Sequence, residues 1–233
     1  MHRIAIVAAM EREVGPLIQE WKVREVEHSG RRYKLFESEE ASLICAGIGP
    51  EAARRATEVM IQEVRAPHIL SVGFVGALDP VLRVGEVFEP RTVINAADGS
   101  RTDTGCGQGT LVSFNTVAGR EQKEKLREAY SAAAVDMEAA AVAQGAELRG
   151  VRFSALKVVS DEAGFVMPPV EDFIAADGNF RSARFALHVA IRPWLWGGTV
   201  ALARNSARAS KALCAALEQH LSRRATERIA EHR

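Results

Sequence analysis

The sequence predicts an α/β fold, a three-layer α/β/α sandwich around one central, mixed and largely parallel sheet. Short apolar runs typical of buried strands alternate with helix-like segments, beginning with a strand over 4–10 and a helix over 11–20. The 233 residues are 47% hydrophobic, which is enough to cover both faces of such a sheet.

The remaining elements follow in order. Further strands are predicted at 31–37, 41–46, 68–74, 84–93, 110–114, 133–135 and 153–159, and residues 95–110 form an irregular loop. Helices are predicted at 51–63, 119–130 and 138–148, and Pro50 suits the first position of the first of these. Beyond about 171, a helical, basic and apolar extension completes one domain over 1–233, with breaks at 177–178, Pro193 and 197–198.

Charge and cysteine content exclude several classes of protein. Thirty basic side chains balance thirty acidic ones, which argues against a nucleic-acid partner. Cys45, Cys106 and Cys214 are too widely spaced for a disulfide framework or a zinc pattern, so we expect a cytoplasmic protein. The six histidines show no metal-ligand spacing, and no metal is expected.

A glycine-rich turn, Gly47-Ile48-Gly49, lies between a predicted strand and a helix, where a dinucleotide-binding turn would lie. Position 52 is alanine, however, and no acidic residue ends the next strand to hold a ribose. The sequence therefore favours a tight turn near some other ligand, and no cofactor is expected.

Three carboxylates each lie just past a buried strand: Glu13, Glu138 and Asp161. Ligands of open α/β sheets bind at the carboxyl ends of strands, so these groups are expected to converge. Together they could supply acid, base and hydroxyl-binding functions on a sugar. Taken singly, each could instead be a first-turn acid or a helix cap.

Residues 181–211 carry six basic side chains and no acidic one, and they include Trp194 and Trp196 within the apolar stretch 185–202. Apolar and aromatic groups flanked by arginine indicate peripheral contact with a membrane surface. The alternative is a helix pair that packs on the core or on a partner subunit.

Five motifs together resemble the purine nucleoside phosphorylase/uridine phosphorylase superfamily, and over residues 1–165 they are most similar to its methylthioadenosine/S-adenosylhomocysteine nucleosidase branch. The motifs are Ala9-Met10-Glu11-Arg12-Glu13-Val14, Gly47-Ile48-Gly49-Pro50, Gly73-Phe74-Val75-Gly76-Ala77-Leu78, Val135-Asp136-Met137-Glu138-Ala139-Ala140-Ala141 and Val159-Ser160-Asp161. This resemblance implies the nucleoside phosphorylase fold.

A second set of segments is similar to the hopanoid-associated phosphorylases, a group thought to remove adenine from adenosylhopane, and this resemblance covers essentially the whole chain. The similar segments are Gly76-Ala77-Leu78-Asp79-Pro80, residues 97–104, Pro168-Pro169, Arg192-Pro193 and Ala203-Arg204-Asn205-Ser206. The resemblance implies a lipid-linked adenosyl substrate and a place at the inner membrane surface.

The resemblance also implies roles for individual residues in cleaving a purine N-glycosidic bond. Asp161 would protonate the leaving adenine at N7, and Ser160 would help to place it. Glu138 would accept hydrogen bonds from ribose hydroxyls, and Met137 would pack against the sugar. Glu13 would orient and deprotonate water.

The other expected binding residues are Phe74, Val75 and Gly76 in the turn after the third core strand, together with Val117. Phe74 replaces a hydroxyl residue of the family, and Val117 lies about where nucleosidases carry a base-stacking phenylalanine. Phosphate as a co-substrate stays open, although Glu13 would repel its dianion.

Several alternatives remain at this point. The chain could be a methylthioadenosine or adenosylhomocysteine nucleosidase acting on a small-molecule substrate, or a futalosine-type hydrolase. From another class, it could be a catalytically silent nucleoside-binding or membrane-associated scaffold. The resemblance also predicts a homo-oligomer, a dimer above all, in which an apolar tail helix could form the interface.

Overall fold

The structure is a computed structural model that describes the backbone of residues 3–231 and the side chains of residues 3–224. The predicted domain of residues 1–233 thus includes residues 1, 2, 232 and 233, which lie outside the described part. The strands are β1 Ile4–Ala8, β2 Lys22–His28, β3 Arg31–Glu37, β4 Ala41–Cys45, β5 His68–Ala77, β6 Val87–Phe88, β7 Thr92–Asn95, β8 Arg101–Asp103, β9 Thr110–Ser113, β10 Ala134–Asp136 and β11 Arg152–Asp161.

Six α-helices connect or follow these strands. They are α1 Glu11–Ile18, α2 Pro50–Val64, α3 Arg120–Tyr130, α4 Ala139–Glu147, α5 Ser182–Ala190 and α6 Trp196–Glu231. Two short 3₁₀ helices, Glu171–Phe173 and Pro193–Leu195, lie between β11 and α6.

All eleven strands form one mixed sheet, in the order β2-β3-β4-β1-β5-β10-β9-β7-β8, with β11 beside β5 and β6 beside β11. The interior pairings β1–β4, β1–β5, β5–β11, β9–β10 and β7–β9 are parallel. Antiparallel pairings join β2, β3 and β4 at one edge, β8 at the other, β6 to β11, and β10 to β5. The predicted fold class is therefore confirmed.

Helices cover both faces of this sheet. On β1, Ala5 and Val7 pack in the cluster that contains α2 and α4, whereas Ile4 and Ile6 pack in the cluster that contains α1 and α6. This alternation explains why the first strand is apolar throughout its length. A third cluster holds α3 against β9 and β10 through Leu126.

The structure corrects several sequence-based boundaries. Strand β2 was not predicted because five of its seven residues are exposed at the sheet edge. The short strand β8 lies inside the predicted irregular loop, and the predicted strand over 84–93 is replaced by β6 and by the start of β7. The predicted helix break at 197–198 is wrong, because both glycines lie inside the first turn of the 36-residue helix α6.

None of the helices within residues 3–231 has the length and apolar character needed to cross a membrane.

Candidate active site

One cavity of about 740 Å³ opens at the carboxyl ends of β1, β5, β10 and β11, and α5 and α6 form its far wall. The structure brings all nine sequence-predicted site residues to its lining: Glu13, Phe74, Val75, Gly76, Val117, Met137, Glu138, Ser160 and Asp161. Their chemical roles remain predictions, but their convergence satisfies the first requirement for a shared site.

Glu13 occupies the first turn of α1 and is almost fully buried. Its Oε2 accepts a hydrogen bond from the Met10 N–H at 3.3 Å. A Cβ on Gly73, whose φ is +143°, would lie 3.1 Å from the same oxygen, so a glycine at this position gives the carboxylate its room.

Burial raises the pKa of Glu13 to about 7, although the charges of Lys157 and Arg12 oppose this shift. Near neutral pH both protonation states of Glu13 are therefore populated. A carboxylate with this property can take a proton from water and release it again.

Glu138 immediately precedes α4, and backbone donors hold both of its oxygens. The Gly49 N–H donates to Oε1 at 2.8 Å and the Met137 N–H donates to Oε2 at 3.2 Å. The Gly47–Gly49 turn therefore binds a carboxylate of the protein itself. Burial and the nearby charge of Asp136 raise the pKa of Glu138 to about 8, whereas Lys157 and the Gly49 hydrogen bond act in the opposite direction.

A buried ion pair, not anticipated from the sequence, lies next to Glu138. Lys157 Nζ is 2.9 Å from Asp136 Oδ2 and donates to Ser71 Oγ at 3.0 Å. Asp136 also accepts from Ser113 Oγ at 2.6 Å and from the Ala139 N–H at 3.0 Å. This network ties β5, β9, β10 and β11 together and fixes the start of α4, and with it Glu138.

Asp161 lies at the end of β11, beyond an irregularity in the register between Val159 and Asp161 opposite Gly76. Such a bulge re-aims side chains at the end of a strand. Ser160 Oγ donates to Asp161 Oδ1 at 2.7 Å, so Ser160 holds the carboxylate at one oxygen.

Lys123 is the site residue that sequence reasoning missed. Its Nζ donates to Asp161 Oδ2 and, at 2.9 Å, to the carbonyl oxygen of Glu162. The side chain is only 3% exposed and lines the cavity. In the polar helix α3, Lys123 stands three residues before Leu126 on the buried face, and a lysine on that face was the available signal.

The opposite end of the cavity is apolar. It is formed by the segment between β11 and α5 and by α5 and α6, and its apolar lining residues are Met167, Val170, Ile174, Phe180, Phe185 and Leu202. The rings of Phe180 and Phe185 lie 5.5 Å apart, and the Arg12 guanidinium lies 5.2 Å from the centre of the Phe180 ring. These contacts connect the apolar end to α1, which carries Glu13.

Exposed apolar side chains lie on α5, the following 3₁₀ helix and the start of α6. They form what we call the α5–α6 surface, consisting of Leu187, Ile191, Trp194, Trp196 and Val200. Trp194 is 76% exposed, whereas the Trp196 indole N–H donates to the Val189 carbonyl oxygen at 2.9 Å.

Comparisons with known proteins agree with this architecture. The protein-family model of the phosphorylase superfamily matches residues 3–118 and 108–191. The aminodeoxyfutalosine nucleosidase of Campylobacter jejuni is 25% identical over 200 residues, which cover 70% of this chain and 87% of that protein. A 5′-methylthioadenosine/S-adenosylhomocysteine nucleosidase of Staphylococcus aureus is 28% identical over 197 residues, with coverages of 69% and 86%.

Among solved structures, the futalosine hydrolase of Helicobacter pylori is similar with a TM-score of 0.65 and 18% sequence identity. The match covers 94% of this chain and 98% of that one. This likeness shows that the two proteins share a fold.

Proposed function

Since the chain belongs to the phosphorylase superfamily and is an enzyme that cleaves the N-glycosyl bond of nucleosides, we propose that it releases adenine from an adenosyl nucleoside with a large apolar 5′ group. The substrate that the sequence resemblance suggests is adenosylhopane, in hopanoid biosynthesis. The superfamily predicted from the five motifs is thereby confirmed, and the identity of the substrate is the proposal.

The chemical contrast between the two ends of the cavity carries this proposal. Three carboxylates at one end, of which Glu13 and Asp161 are buried and Glu138 is half-buried, suit a sugar and a base, since they can bind hydroxyl groups and exchange protons. Six apolar side chains line the other end, where they can exclude water from a large apolar group. A small thionucleoside would leave most of that end unfilled.

In the proposed reaction, Glu138 accepts hydrogen bonds from the ribose hydroxyls and Asp161 delivers a proton to N7 of the base. The C1′–N9 bond breaks, the electron pair stays on N9, and the protonated base leaves as neutral adenine. Glu13 takes a proton from water, whose oxygen bonds to C1′. A pKa near 7 lets Glu13 do this at neutral pH.

Water is the nucleophile that the electrostatics favour. Phosphate carries up to two negative charges near neutral pH, and ionised Glu13 would repel it at this end of the cavity. Of the lining cations Arg12, Lys123 and Lys211, Lys123 is already paired with Asp161 and Arg12 lies over the Phe180 ring.

We further propose that the α5–α6 surface contacts the bilayer. The surface lies within residues 181–211, which carry six basic and no acidic side chains, a charge that suits anionic lipid headgroups. Phe185 and Thr199 in this segment line the cavity, so a lipid-linked substrate could pass from the bilayer to the site.

The first experiment compares adenine release from adenosylhopane in detergent with release from methylthioadenosine, each with and without phosphate. Turnover of the lipid substrate without phosphate is the expected result. A preference for methylthioadenosine would favour the alternative of a small-substrate nucleosidase, which the Staphylococcus aureus relative supports. Futalosine in the same assay tests the alternative of a futalosine-type hydrolase, which the Campylobacter jejuni relative supports.

The second experiment measures flotation with anionic liposomes. The double variant Leu187→Ser/Trp194→Ser should lose binding, whereas Leu148→Ser, an 83% exposed leucine elsewhere on the molecule, should bind like the parent. Sedimentation of the same variants tests the competing use of this surface as a dimer interface. The membrane proposal would be contradicted if the parent were a dimer that does not bind liposomes and the double variant were a monomer.

A further inference from the structure

We propose that Lys123 is a positioning residue that supplies the proton which Asp161 passes to the leaving base. This inference rests on the proposed function, because it assigns a proton source to that reaction. It concerns a side chain that none of the five sequence motifs contains.

Both carboxylate oxygens of Asp161 accept a hydrogen bond. Ser160 Oγ donates to Oδ1, and Lys123 Nζ donates to Oδ2. Because both of these contacts are donations to Asp161, the arrangement places the transferable proton on Lys123 and none on the aspartate oxygens. Before it can donate a proton to N7, it must therefore receive one, and the Lys123 ammonium is in direct contact with it.

The surroundings leave room for the lysine to act. A Cβ on Gly76 would lie 3.0 Å from Lys123 Cε and 3.0 Å from Asp161 Oδ2, so a glycine keeps this space free. Lys123 also lines the cavity, where an incoming base can meet the pair. Lys157, the other buried lysine of the site, does not line it and is enclosed in the sheet with Asp136 and Ser71.

The proposed step balances. One proton moves from the Lys123 ammonium to Asp161 Oδ2 and one from Asp161 to N7 while the C1′–N9 bond breaks, with the electron pair on N9. Lys123 is left as a neutral amine and Asp161 as a carboxylate. The amine regains a proton from solvent once adenine has left the cavity.

The test uses two leaving groups on the full-length enzyme. Adenine needs a proton at N7, whereas 4-nitrophenolate from a 4-nitrophenyl riboside with the same 5′ group leaves without one. Lys123→Met should lower kcat for adenine release roughly a hundredfold and alter kcat for 4-nitrophenolate release by less than about threefold. Lys125→Met is the matched control, because Lys125 lies on the same helix, exposed and paired with Glu121.

Release of 4-nitrophenolate also reports that Lys123→Met is folded. An equal loss for both leaving groups, or no loss for adenine, would overturn the inference. Lys123→Arg separates charge from proton supply, because a guanidinium keeps its proton in proteins. We expect Lys123→Arg to retain 4-nitrophenolate release but not adenine release. Full adenine release by this variant would show that Lys123 contributes its charge and not a proton.

The same assay distinguishes this inference from the proposed function. A parent enzyme that releases 4-nitrophenolate but no adenine from any adenosyl nucleoside would refute the proposed function and the inference with it. A parent that releases adenine, with Lys123→Met equally active, would refute the inference alone.

Discussion

The polar and apolar ends of the cavity are built in different ways. Strand ends and the helix starts that follow them form the polar end, where Glu13 and Asp161 are 2% and 4% exposed and each accepts hydrogen bonds. The apolar end comes from the segment after β11, and its outer surface leaves Trp194 largely in solvent. The sheet thus positions the carboxylates, and under the proposed function the segment after it selects which substrates reach them.

The largest effect should come from the polar end. Asp161→Asn removes the proton donor, so kcat for adenine release should fall by about 10²–10⁴ with little change in KM. The neighbouring variant Glu162→Gln leaves intact the carbonyl oxygen that Lys123 contacts and should act like the parent. Steady-state kinetics on both variants check this; an Asp161→Asn enzyme within about tenfold of the parent would remove Asp161 from the mechanism.

The burial of Glu13 should be visible in stability as well as in activity. Its folded pKa of about 7 exceeds the ordinary value of 4.5, so its contribution to stability is fully present below about pH 4.5 and is lost as pH rises through 7. In Glu13→Gln the side chain cannot ionise, so the free energy of unfolding does not fall over this pH range. The variant should therefore be inactive yet more stable than the parent by about 3 kcal/mol at pH 8.

Urea unfolding of the parent and of Glu13→Gln at pH 5 and pH 8 measures this difference. The difference in the free energy of unfolding between the two proteins should be smaller at pH 5, where the Glu13 carboxyl of the parent is mostly protonated in the folded state. A gap that is independent of pH would contradict the raised pKa.

The apolar end should affect affinity and leave the chemical step unchanged. Phe185→Ser removes a ring that lines the cavity and packs against Phe180 and Phe173. KM for a substrate with a large apolar 5′ group should rise roughly ten- to a hundredfold, since burial of an aromatic ring contributes about 1.5–3 kcal/mol. With methylthioadenosine the variant and the parent should have similar kcat values, and a fall in kcat for both substrates would show that the two ends are not separable.

A smaller effect is expected from glycines near Glu13. Gly73→Ala places a Cβ 3.1 Å from Glu13 Oε2 at a positive φ, so it should cost about 1 kcal/mol or more and should disturb the carboxylate. Gly15→Ala, on the same helix as Glu13, meets no atom within 4 Å and should stabilise α1 by up to about 1 kcal/mol. Thermal unfolding of the two variants checks the contrast in sign.

The sequence predicted that the carboxylates of the polar end lie close together, because each follows an apolar strand and the carboxyl ends of such strands meet at one edge of the sheet. Glu13, Glu138 and Asp161 were identified in this way. Lys123 was not, because α3 is mostly polar and only packing against β9 and β10 shows which of its lysines is buried.

The errors in the fold have similar causes. Strand β2 escapes recognition because an edge strand with few buried side chains lacks an apolar pattern. The glycines at 197–198 suggested a helix break on propensity alone. In the structure the helix continues through them, and a Cβ on Gly198 would lie in ordinary contact with Pro168, at 3.6 Å. In both cases, contacts distant in sequence override the local preference.

The position of α6 has a consequence for biosynthesis. Leu213 and Leu217 on this helix share a cluster with Ile6 and Val14, and Cys214 Sγ lies 3.8 Å from the Glu13 carbonyl oxygen, 201 positions away along the chain. At translation rates of about 5–20 residues per second, the ribosome needs roughly 10–40 s to bridge that separation. During this time α1 is, among the helices that the structure describes, the only one available to cover the Ile6 face of the first strand, so part of this face stays exposed for longer than in a chain whose early strands are covered by their neighbours in sequence.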